Sequence, residues 1–264
     1  MIISGNRKLK ELYHKLDSGD IFIGSLVSKH LKQSMLIDLL ERGVHCFPSP
    51  LSQVINSSKV MQALVFKDLM LPHTQAITRR VELVDAINLY NKHSVGPVVT
   101  KENHMHCGYG VRRWETVESL YSYTALLESS YPFVLQPLLK NFTDVRIIIV
   151  EDYVEAYSRH NPHNFRMNIS SGGTSSSYVL DKDKEALCRS IMNRGKFPFA
   201  HIDLHILESG ECFLSEIALN GGIKGAASSR KELDEKKQVL LERLAEEKRK
   251  AEGTEAEGRR EGKN

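Results

Sequence analysis

The stretch Phe199–Ile217, FAHIDLHILESGECFLSEI, predicts a β-hairpin, and it decides the fold. Two apolar strands flank Ser209 and Gly210, a pair of residues typical of a tight turn. The two-residue period of a strand places Asp203 on one face with the histidines on either side of it. Glu216 lies between apolar residues of the partner strand. We therefore expect two carboxylates close together on neighbouring strands.

Paired carboxylates on a hairpin allow two interpretations. Asp203 and Glu216 are suited to bind a hard cation such as Mg²⁺ through oxygen. The alternative is the exposed face of an ordinary half-buried hairpin. His201 and His205 share the face of Asp203 and also allow a transition-metal site, which would need further ligands. The spacing alone leaves all three interpretations open.

A second candidate site is a lysine followed by a loop with two glycines. Lys101 ends the predicted strand 98–101, and Gly108 and Gly110 follow it. An ammonium group on one side and backbone N–H groups on the other suit phosphate binding, although this is not a Walker loop. A plain β-turn is the alternative. The intervening residues His104–Cys107 also offer soft-metal ligands, but no partner pair has zinc-like spacing.

A third candidate is the polar segment that contains Arg166, Asn168 and the Gly172-Gly173 pair. The guanidinium group offers a planar fork to phosphate oxygens, and the amide both donates and accepts. The glycines allow the loop to close on a ligand. The alternative is a surface loop that acts only as a linker.

The rest of the chain predicts two kinds of layer. Strands at Ile21–Val27 and Val44–Phe47 surround a helix, an order that predicts an α/β layer at the amino terminus. Farther along, antiparallel strands alternate with helices and predict an α+β domain. Those helices are expected at Arg80–Lys92, Thr116–Glu128 and Lys182–Asn193.

The composition excludes several classes of protein. The 264 residues are 41% hydrophobic and 26% charged, with a formal net charge of +3. This is too balanced for a dedicated nucleic-acid binder and too apolar for a disordered chain. No run approaches the roughly 20 apolar residues of a membrane span, and no signal peptide is apparent. Four widely spaced cysteines indicate reduced thiols, so we expect a cytoplasmic protein.

The carboxyl-terminal residues differ in composition from the rest. Residues 228–264 are rich in Lys, Arg, Asp and Glu and lack aromatic side chains. We expect Ser229–Ala251 to form a solvated helix and Glu252–Asn264 to be disordered. The heptads are too few for a coiled coil. A helix that binds a partner is the alternative.

Eight or more segments in the same order resemble a known family. They are Ser58-Lys59, Leu71-Pro72-His73-Thr74, Gly96–Lys101, Gly108-Tyr109-Gly110-Val111, Leu135–Leu138, Thr143–Arg146, Phe165–Asn168 with Gly172-Gly173, His201–Leu204, and Ser215-Glu216-Ile217 with Gly222–Gly225. Together they resemble the ATP-grasp ligases, most closely the branch of the ribosomal-protein-S6 glutamate ligase (RimK-like). The resemblance covers about two thirds of the chain. It implies an α+β ATP-grasp fold, in which two α+β subdomains clamp ATP.

The resemblance also implies domain boundaries and residue roles. Residues 1–55 would be a shortened α/β region, 56–227 the ATP-grasp domain and 228–264 a charged helical tail. The implied roles are Lys101 and Lys59 near the phosphates, Gln136-Pro137-Leu138 as the adenine-side hinge, Asp144 at the ribose, Arg166-Met167-Asn168 closing over the nucleotide, Arg159 with Arg166 at the reacting carboxylate and acylphosphate, and Asp203 with Glu216 as metal ligands.

The activity implied by the resemblance is an ATP- and Mg²⁺-dependent carboxylate–amine ligase, with Mn²⁺ as an alternative metal. It would act through an acylphosphate and add an amino acid such as glutamate to a small molecule or peptide. Related ligases are often dimers or tetramers, so a homo-oligomer is compatible with the family. We expect neither a nucleic-acid nor a membrane partner.

One departure from the family affects the metal site. The family's motif is Glu-x-Asn, whereas this chain has Glu216-Ile217-Ala218. Asn220, expected on the same strand face, is our candidate for the replacement ligand. The change leaves open a second interpretation, a catalytically impaired nucleotide-binding or regulatory protein that retains the fold.

Overall fold

A computed structural model describes residues 1–105, 108–125 and 131–261. In chain order its strands and helices are β1 Ile2–Ser4, α1 Asn6–Leu12, β2 Ile21–Ile23, α2 Lys32–Glu41, β3 His45–Phe47, α3 Pro50–Asn56, α4 Lys59–Val65, β4 Gln75–Ile77, α5 Arg80–Lys92, β5 Val98–Glu102, β6 Val111–Trp114, α6 Val117–Thr124, β7 Phe133–Pro137, β8 Phe142–Val150, β9 Tyr153–His160, β10 Thr174–Ser177, α7 Lys182–Gly195, β11 Phe199–Leu207, β12 Cys212–Ala218 and α8 Arg230–Glu261. These elements form three sheets with helices packed against them.

The amino-terminal sheet is parallel, with the strand order β1-β2-β3. Its core joins Phe22 and Cys46 to Leu36 and Leu39 of α2, as an amphipathic helix over a sheet requires. The strand predicted at residues 21–27 is shorter in the structure, because Gly24 has a φ of +138° and ends β2. The predicted α/β order is confirmed here.

The second sheet is antiparallel, with the order β4-β7-β5-β6. Helices α5 and α6 pack against it through a core that includes Leu83, Tyr90 and Leu120. Thr116 caps α6 in a capping box, so the helix begins at the predicted residue. The predicted end at Glu128 lies outside the described residues.

The third sheet is also antiparallel and has the order β10-β9-β8-β11-β12. It contains the predicted hairpin as β11 and β12, which pair antiparallel as expected. Its central strands are almost fully buried, with Ile147, Ile149 and Ile202 in the largest core cluster. Two antiparallel sheets with their helices make up the α+β architecture expected from the sequence.

The carboxyl-terminal helix α8 is not solvated along its first half, and this expectation was wrong. Leu233 and Ala245 are 0% exposed and Leu240 is 3% exposed. Leu240 and Ala245 join the same core cluster as Ile21 and Ile23 of the amino-terminal sheet. The sequence of α8 is highly charged, but its few apolar residues recur on one face, which packs against the rest of the molecule.

Three further expectations concern the domain boundaries, membrane-spanning helices and the cysteines. The proposed domain boundary between residues 55 and 56 falls within α3, and the boundaries stay predictions. None of the helices in the described residues is both long and apolar enough to cross a membrane. The three described cysteines, Cys46, Cys188 and Cys212, are free thiols.

Candidate functional site

One cavity, of about 170 Å³, collects the predicted nucleotide-site residues. It is lined by strands of the two antiparallel sheets and by the loops that follow β5 and β9. Every predicted site residue except Asn220 lines it: Lys59, Lys101, Gln136, Pro137, Leu138, Asp144, Arg159, Arg166, Met167, Asn168, Asp203 and Glu216. Residues spread over 158 positions of sequence, from 59 to 216, thus converge on one volume.

The two predicted metal carboxylates are cross-strand partners, Asp203 on β11 and Glu216 on β12. A register shift follows Asp203 in this pairing, the kind of irregularity that re-aims a side chain next to a site. Both residues line the cavity. The prediction that the hairpin brings two carboxylates close together is therefore confirmed.

Two arginines neutralise Asp203. Arg146 donates from Nε to Oδ1 and from Nη2 to Oδ2, each at 2.7 Å, and Arg159 Nη2 lies 2.9 Å from Oδ2. Burial acts to raise the pKa of Asp203, but the charges of Arg146 and Arg159 outweigh it and hold the pKa below its usual range. Asp203 is therefore ionised throughout the physiological pH range.

Arg146 is a site residue that was not predicted, although the segment Thr143–Arg146 belongs to the family resemblance. The signal available was its spacing. Arg146 lies two residues after Asp144 on the same strand face, within an otherwise apolar run. The pairing of β8 with β11 then places it directly opposite Asp203.

Asp144 and Arg159 form a buried ion pair beneath the cavity. Arg159 donates from Nε and Nη2 to the two carboxylate oxygens of Asp144, at 3.1 and 2.8 Å. The Asp144 side chain is only 4% exposed. Both residues line the cavity, but each is already committed to the other. Their implied roles at the ribose and at the acylphosphate stay predictions.

Two lysines contact strand β12 of the hairpin. Lys59, the first residue of α4 after the Ser58 cap, lies 3.5 Å from the Glu216 carboxylate and donates to the Met105 carbonyl oxygen. Lys101 at the end of β5 lies 3.2 Å from the Ser215 hydroxyl. Burial lowers the pKa of Lys101, and the nearby Glu216 charge opposes this effect. The lysines bring positive charge to one end of the cavity.

Arg166 fastens the predicted closing segment to the glycine-containing loop. It donates to the carbonyl oxygens of Gly108, at 3.2 Å, and Val111. Gly108 has a φ of +76°, and a Cβ atom there would lie 3.0 Å from Asn168 Oδ1. Glycine thus permits both the turn and the close approach of the two segments. The loop and the segment thus contact each other at the cavity that both line, and closure of this segment over a nucleotide stays a prediction.

The soft-metal alternative in the same loop is not supported. His104 directs Nδ1 at the Ser57 carbonyl oxygen, 2.7 Å away, and His106 and Cys107 lie outside the described residues. Within residues 1–105, 108–125 and 131–261, no group of three or more His, Cys, Asp or Glu side chains could hold a metal ion.

Asn220 does not lie where the sequence analysis expected it. Strand β12 ends at Ala218, so Asn220 is in the turn beyond and not on the strand face. Its amide oxygen accepts a hydrogen bond of 2.8 Å from the Lys237 ammonium group. It lines a second cavity, of about 510 Å³, which adjoins the first and shares Arg146, Arg159, Asp203 and Glu216 with it. The amide oxygen that would bind a metal ion is therefore already bound to the Lys237 ammonium group.

The remaining donors fit a single Mg²⁺ ion. Asp203 Oδ1 receives only the Arg146 hydrogen bond among the described residues, which leaves a lone pair for a cation. The Glu216 side chain is one-third exposed. Two carboxylates completed by substrate phosphates are a usual arrangement for Mg²⁺. Ala218 supplies no third protein ligand.

The comparison of the sequence with family models agrees with this geometry. The model of the RimK-like ATP-grasp domain matches residues 55–240, which include every residue that lines the first cavity. This chain belongs to the RimK-like ATP-grasp family. No curated protein matches the sequence of this family member.

Solved structures of other ATP-grasp proteins share the fold. D-alanine–D-alanine ligase from Bacillus anthracis superposes with a TM-score of 0.60, at 16% identity, over 94% of this chain and 86% of that one. The ATP-grasp ligase PsnB, solved with a precursor peptide, gives 0.56 and 13% over 84% and 78%. A RimK domain protein from Sphaerobacter thermophilus gives 0.55 and 13% over 86% and 80%. At these identities the likeness establishes the ATP-grasp fold alone.

Proposed function

We propose that this protein is an ATP-dependent carboxylate–amine ligase that acts through an acylphosphate. The observation that carries the proposal is the single cavity in which Lys59 and Lys101 face the paired carboxylates Asp203 and Glu216. Phosphoryl transfer requires positioned positive charge around the moving group more than it requires a general base. A cavity lined by two lysines and three arginines meets that need.

The reaction has two steps. A substrate carboxylate oxygen attacks the γ-phosphorus of ATP, and the bond to the bridging oxygen breaks to release ADP. An amine nitrogen then attacks the acyl carbon and expels phosphate, and the amine loses a proton. Lys59 and Lys101 would hold phosphate oxygens, and Arg166 would turn from the carbonyl oxygens of the glycine-containing loop to the nucleotide. Mg²⁺, or Mn²⁺ as an alternative, would be held by Asp203 and Glu216 and would offset phosphate charge.

The nucleotide itself fits the lining of the cavity. Val99 and Lys101 share one face of β5, with Val99 paired to Gln136 of the hinge. Apolar side chains beside the hinge, including Leu138 and Met167, suit an adenine ring. Lys101, two residues after Val99 on the same strand, and Lys59 of α4 suit the phosphates. The adjoining second cavity is our candidate for the amino acid, small carboxylate or peptide substrate.

The test is direct. Purified protein is incubated with ATP, Mg²⁺ and a panel of amino acids and short peptides, and ADP release is followed alongside ATP binding by calorimetry. We expect ATP binding in all cases and acceptor-dependent ADP release with one class of acceptor. A folded protein that binds no ATP overturns the proposal.

A second candidate function is nucleotide binding without turnover, as in a regulatory protein. Three observations favour it: Ala218 replaces a metal ligand, two arginines occupy Asp203, and Lys237 occupies Asn220. This reading predicts ATP binding that does not depend on Mg²⁺ and no ADP with any acceptor. We also propose a cytoplasmic location and a homo-oligomer. Light scattering of the purified protein tests the oligomeric state.

A further inference from the structure

Lys237 is a buried lysine of the carboxyl-terminal helix that contacts the far wall of the second cavity. Only 5% of it is exposed, and its ammonium group lies 2.8 Å from Asn220 Oδ1, 3.1 Å from the Leu219 carbonyl oxygen and 3.2 Å from His201 Nε2. A lysine is rarely buried unless all its donors find partners. These three acceptors match the three N–H bonds of the ammonium group.

The contact with Lys237 fixes the tautomer of His201. An ammonium group can only donate, so Nε2 of the imidazole must accept and Nδ1 must carry the proton. All three N–H bonds of the Lys237 ammonium group have an acceptor in this arrangement, one of which is Nε2 of His201.

The resulting Nδ1–H donor of His201 is left without an acceptor among the described residues. A buried donor without an acceptor is unfavourable, so a ligand that accepts from Nδ1 would stabilise this arrangement. Gly221 lies beside this edge of the ring, and a Cβ atom at position 221 would lie only 3.0 Å from Nδ1. Glycine at this position therefore leaves the edge of the ring without a covering side chain.

The surroundings of this donor favour an anion. The second cavity, which His201 and Gly221 both line, also contains Arg146 and the exposed Lys224. Arg230 donates to the Gly221 carbonyl oxygen from α8. The two carboxylates that line this cavity already face cations, since Asp203 is paired with two arginines and Glu216 with Lys59. The electrostatic field at the turn after β12 is therefore positive.

We propose that Lys237 is a positioning residue that prepares His201 as an Nδ1–H donor for a carboxylate group of the second substrate. This inference rests on the proposed ligase function, because it assigns the adjoining cavity to a carboxylate-bearing substrate. It makes the carboxyl-terminal helix part of the substrate site, although its residues do not touch the nucleotide cavity. His201 contacts the substrate, and Lys237 acts through His201 and Asn220.

The tautomer is measured by nitrogen-15 NMR of histidine-labelled protein, with His201 assigned from the His201→Gln variant. Two-bond proton–nitrogen correlations distinguish the Nδ1–H from the Nε2–H form. We expect the Nδ1–H form in the unchanged protein and loss of that pattern in Lys237→Met, which keeps the length of the side chain. Lys231→Met is the matched control, because Lys231 is exposed on the same helix. An unchanged His201 pattern in Lys237→Met overturns the proposal, and this measurement does not depend on turnover.

The kinetic arm uses the amino acid that releases ADP in the panel assay. We expect Lys237→Met to raise the KM of that amino acid about tenfold, with the ATP dissociation constant within twofold of the unchanged protein. His201→Asn keeps an amide donor at the Nδ1 position and should retain the KM, whereas His201→Gln places its amide near Nε2 and should not. Equal KM values for these two variants, or a parallel loss of ATP affinity, count against the proposal. Absence of ADP with every acceptor is the separate failure of the proposed function.

Discussion

Arg159 and Asp144 lie directly opposite each other on β9 and β8 and form a two-pronged ion pair. Both side chains are almost fully buried, and Arg159 also contacts Asp203 at a distance of 2.9 Å. Removing one partner of such a pair leaves a buried charge without compensation. The floor of the candidate site is therefore also a stability element of the central sheet.

The first prediction concerns this ion pair. Arg159→Met should lower the free energy of unfolding by about 3–5 kcal/mol, because Asp144 would lose its only two-pronged partner among the described residues. Urea denaturation followed by circular dichroism measures the change. Arg113→Met removes an exposed arginine and should stay within about 0.5 kcal/mol. Equal effects of the two substitutions would contradict the prediction.

Lys101 should matter for nucleotide affinity more than for stability. Its ammonium group contacts only Ser215 by hydrogen bonds within the described chain, and it lines the cavity. A charged hydrogen bond to phosphate contributes about 1.5–3 kcal/mol, so Lys101→Met should weaken ATP binding roughly 10- to 100-fold. Calorimetric titration with ATP measures the loss, and Arg113→Met again serves as the control. Unaltered affinity would remove Lys101 from the phosphate site.

Ala218 is the position at which the metal site departs from the family. We expect Ala218→Asn to increase ADP release and to lower the Mg²⁺ concentration at half-maximal rate, because it adds one oxygen ligand beside Glu216. Ala218→Leu, of similar size but without oxygen, should not have this effect. The measurement is ADP release over a Mg²⁺ titration. Identical behaviour of the two variants would show that side-chain size, not ligation, governs this position.

Acid should destabilise the protein through two histidines. Burial lowers the pKa of His201 and of His205 to about 3, with Lys237 and Lys101 respectively adding to the effect. Their pKa values in the unfolded chain are near 6.5, so the unfolded state binds more protons between about pH 6.5 and pH 3. The free energy of unfolding should fall as the pH falls through this range, with a slope approaching about 3 kcal/mol per pH unit from the two sites.

The variant with His201→Gln and His205→Gln tests this assignment. The free energy of unfolding, measured by denaturation at several pH values from 7 to 4, should depend less on pH in the double variant than in the unchanged protein. Parallel pH profiles would assign the acid sensitivity to other groups.

The packing of α8 gives a prediction about the tail. Leu240→Ala should cost about 2–5 kcal/mol, because Leu240 is 3% exposed within the largest core cluster. Val239→Ala, one residue earlier, should be nearly neutral, since Val239 is 63% exposed. Thermal and urea unfolding of the two variants distinguish a packed helix from a solvated one. Two neutral substitutions would support the solvated helix expected from composition.

The hairpin was predictable because its signals are local. Alternating apolar residues fix the faces of β11, and Gly210, with a φ of +88°, makes the turn. Lys59 and Lys101 both contact this hairpin. Their convergence was predictable only through the family resemblance, since pairs such as Lys59 and Glu216 are far apart in sequence. Helix α3 was not predicted, although Ser49 caps it and Pro50 occupies its first turn.

Two errors have the same physical origin. The burial of Leu240 and the position of Asn220 both depend on contacts made by distant parts of the chain. A strand face was extended through Asn220, but β12 ends at Ala218 and the amide is drawn to Lys237 instead. A mostly charged sequence gave no sign that one of its lysines would be buried. Local periodicity carries no information about such partners.

Helix α8 also packs against the amino-terminal sheet. Glu252 contacts His45 at 2.5 Å, and Leu240, Leu241 and Ala245 share a core cluster with Ile21 and Ile23. The strands of the amino-terminal sheet precede α8 in the chain, so they are synthesised before the helix that covers one of their faces. A chain that ends before residue 240 lacks these contacts and exposes apolar surface, which favours aggregation. Synthesis of the carboxyl-terminal helix is thus the step that completes the amino-terminal layer.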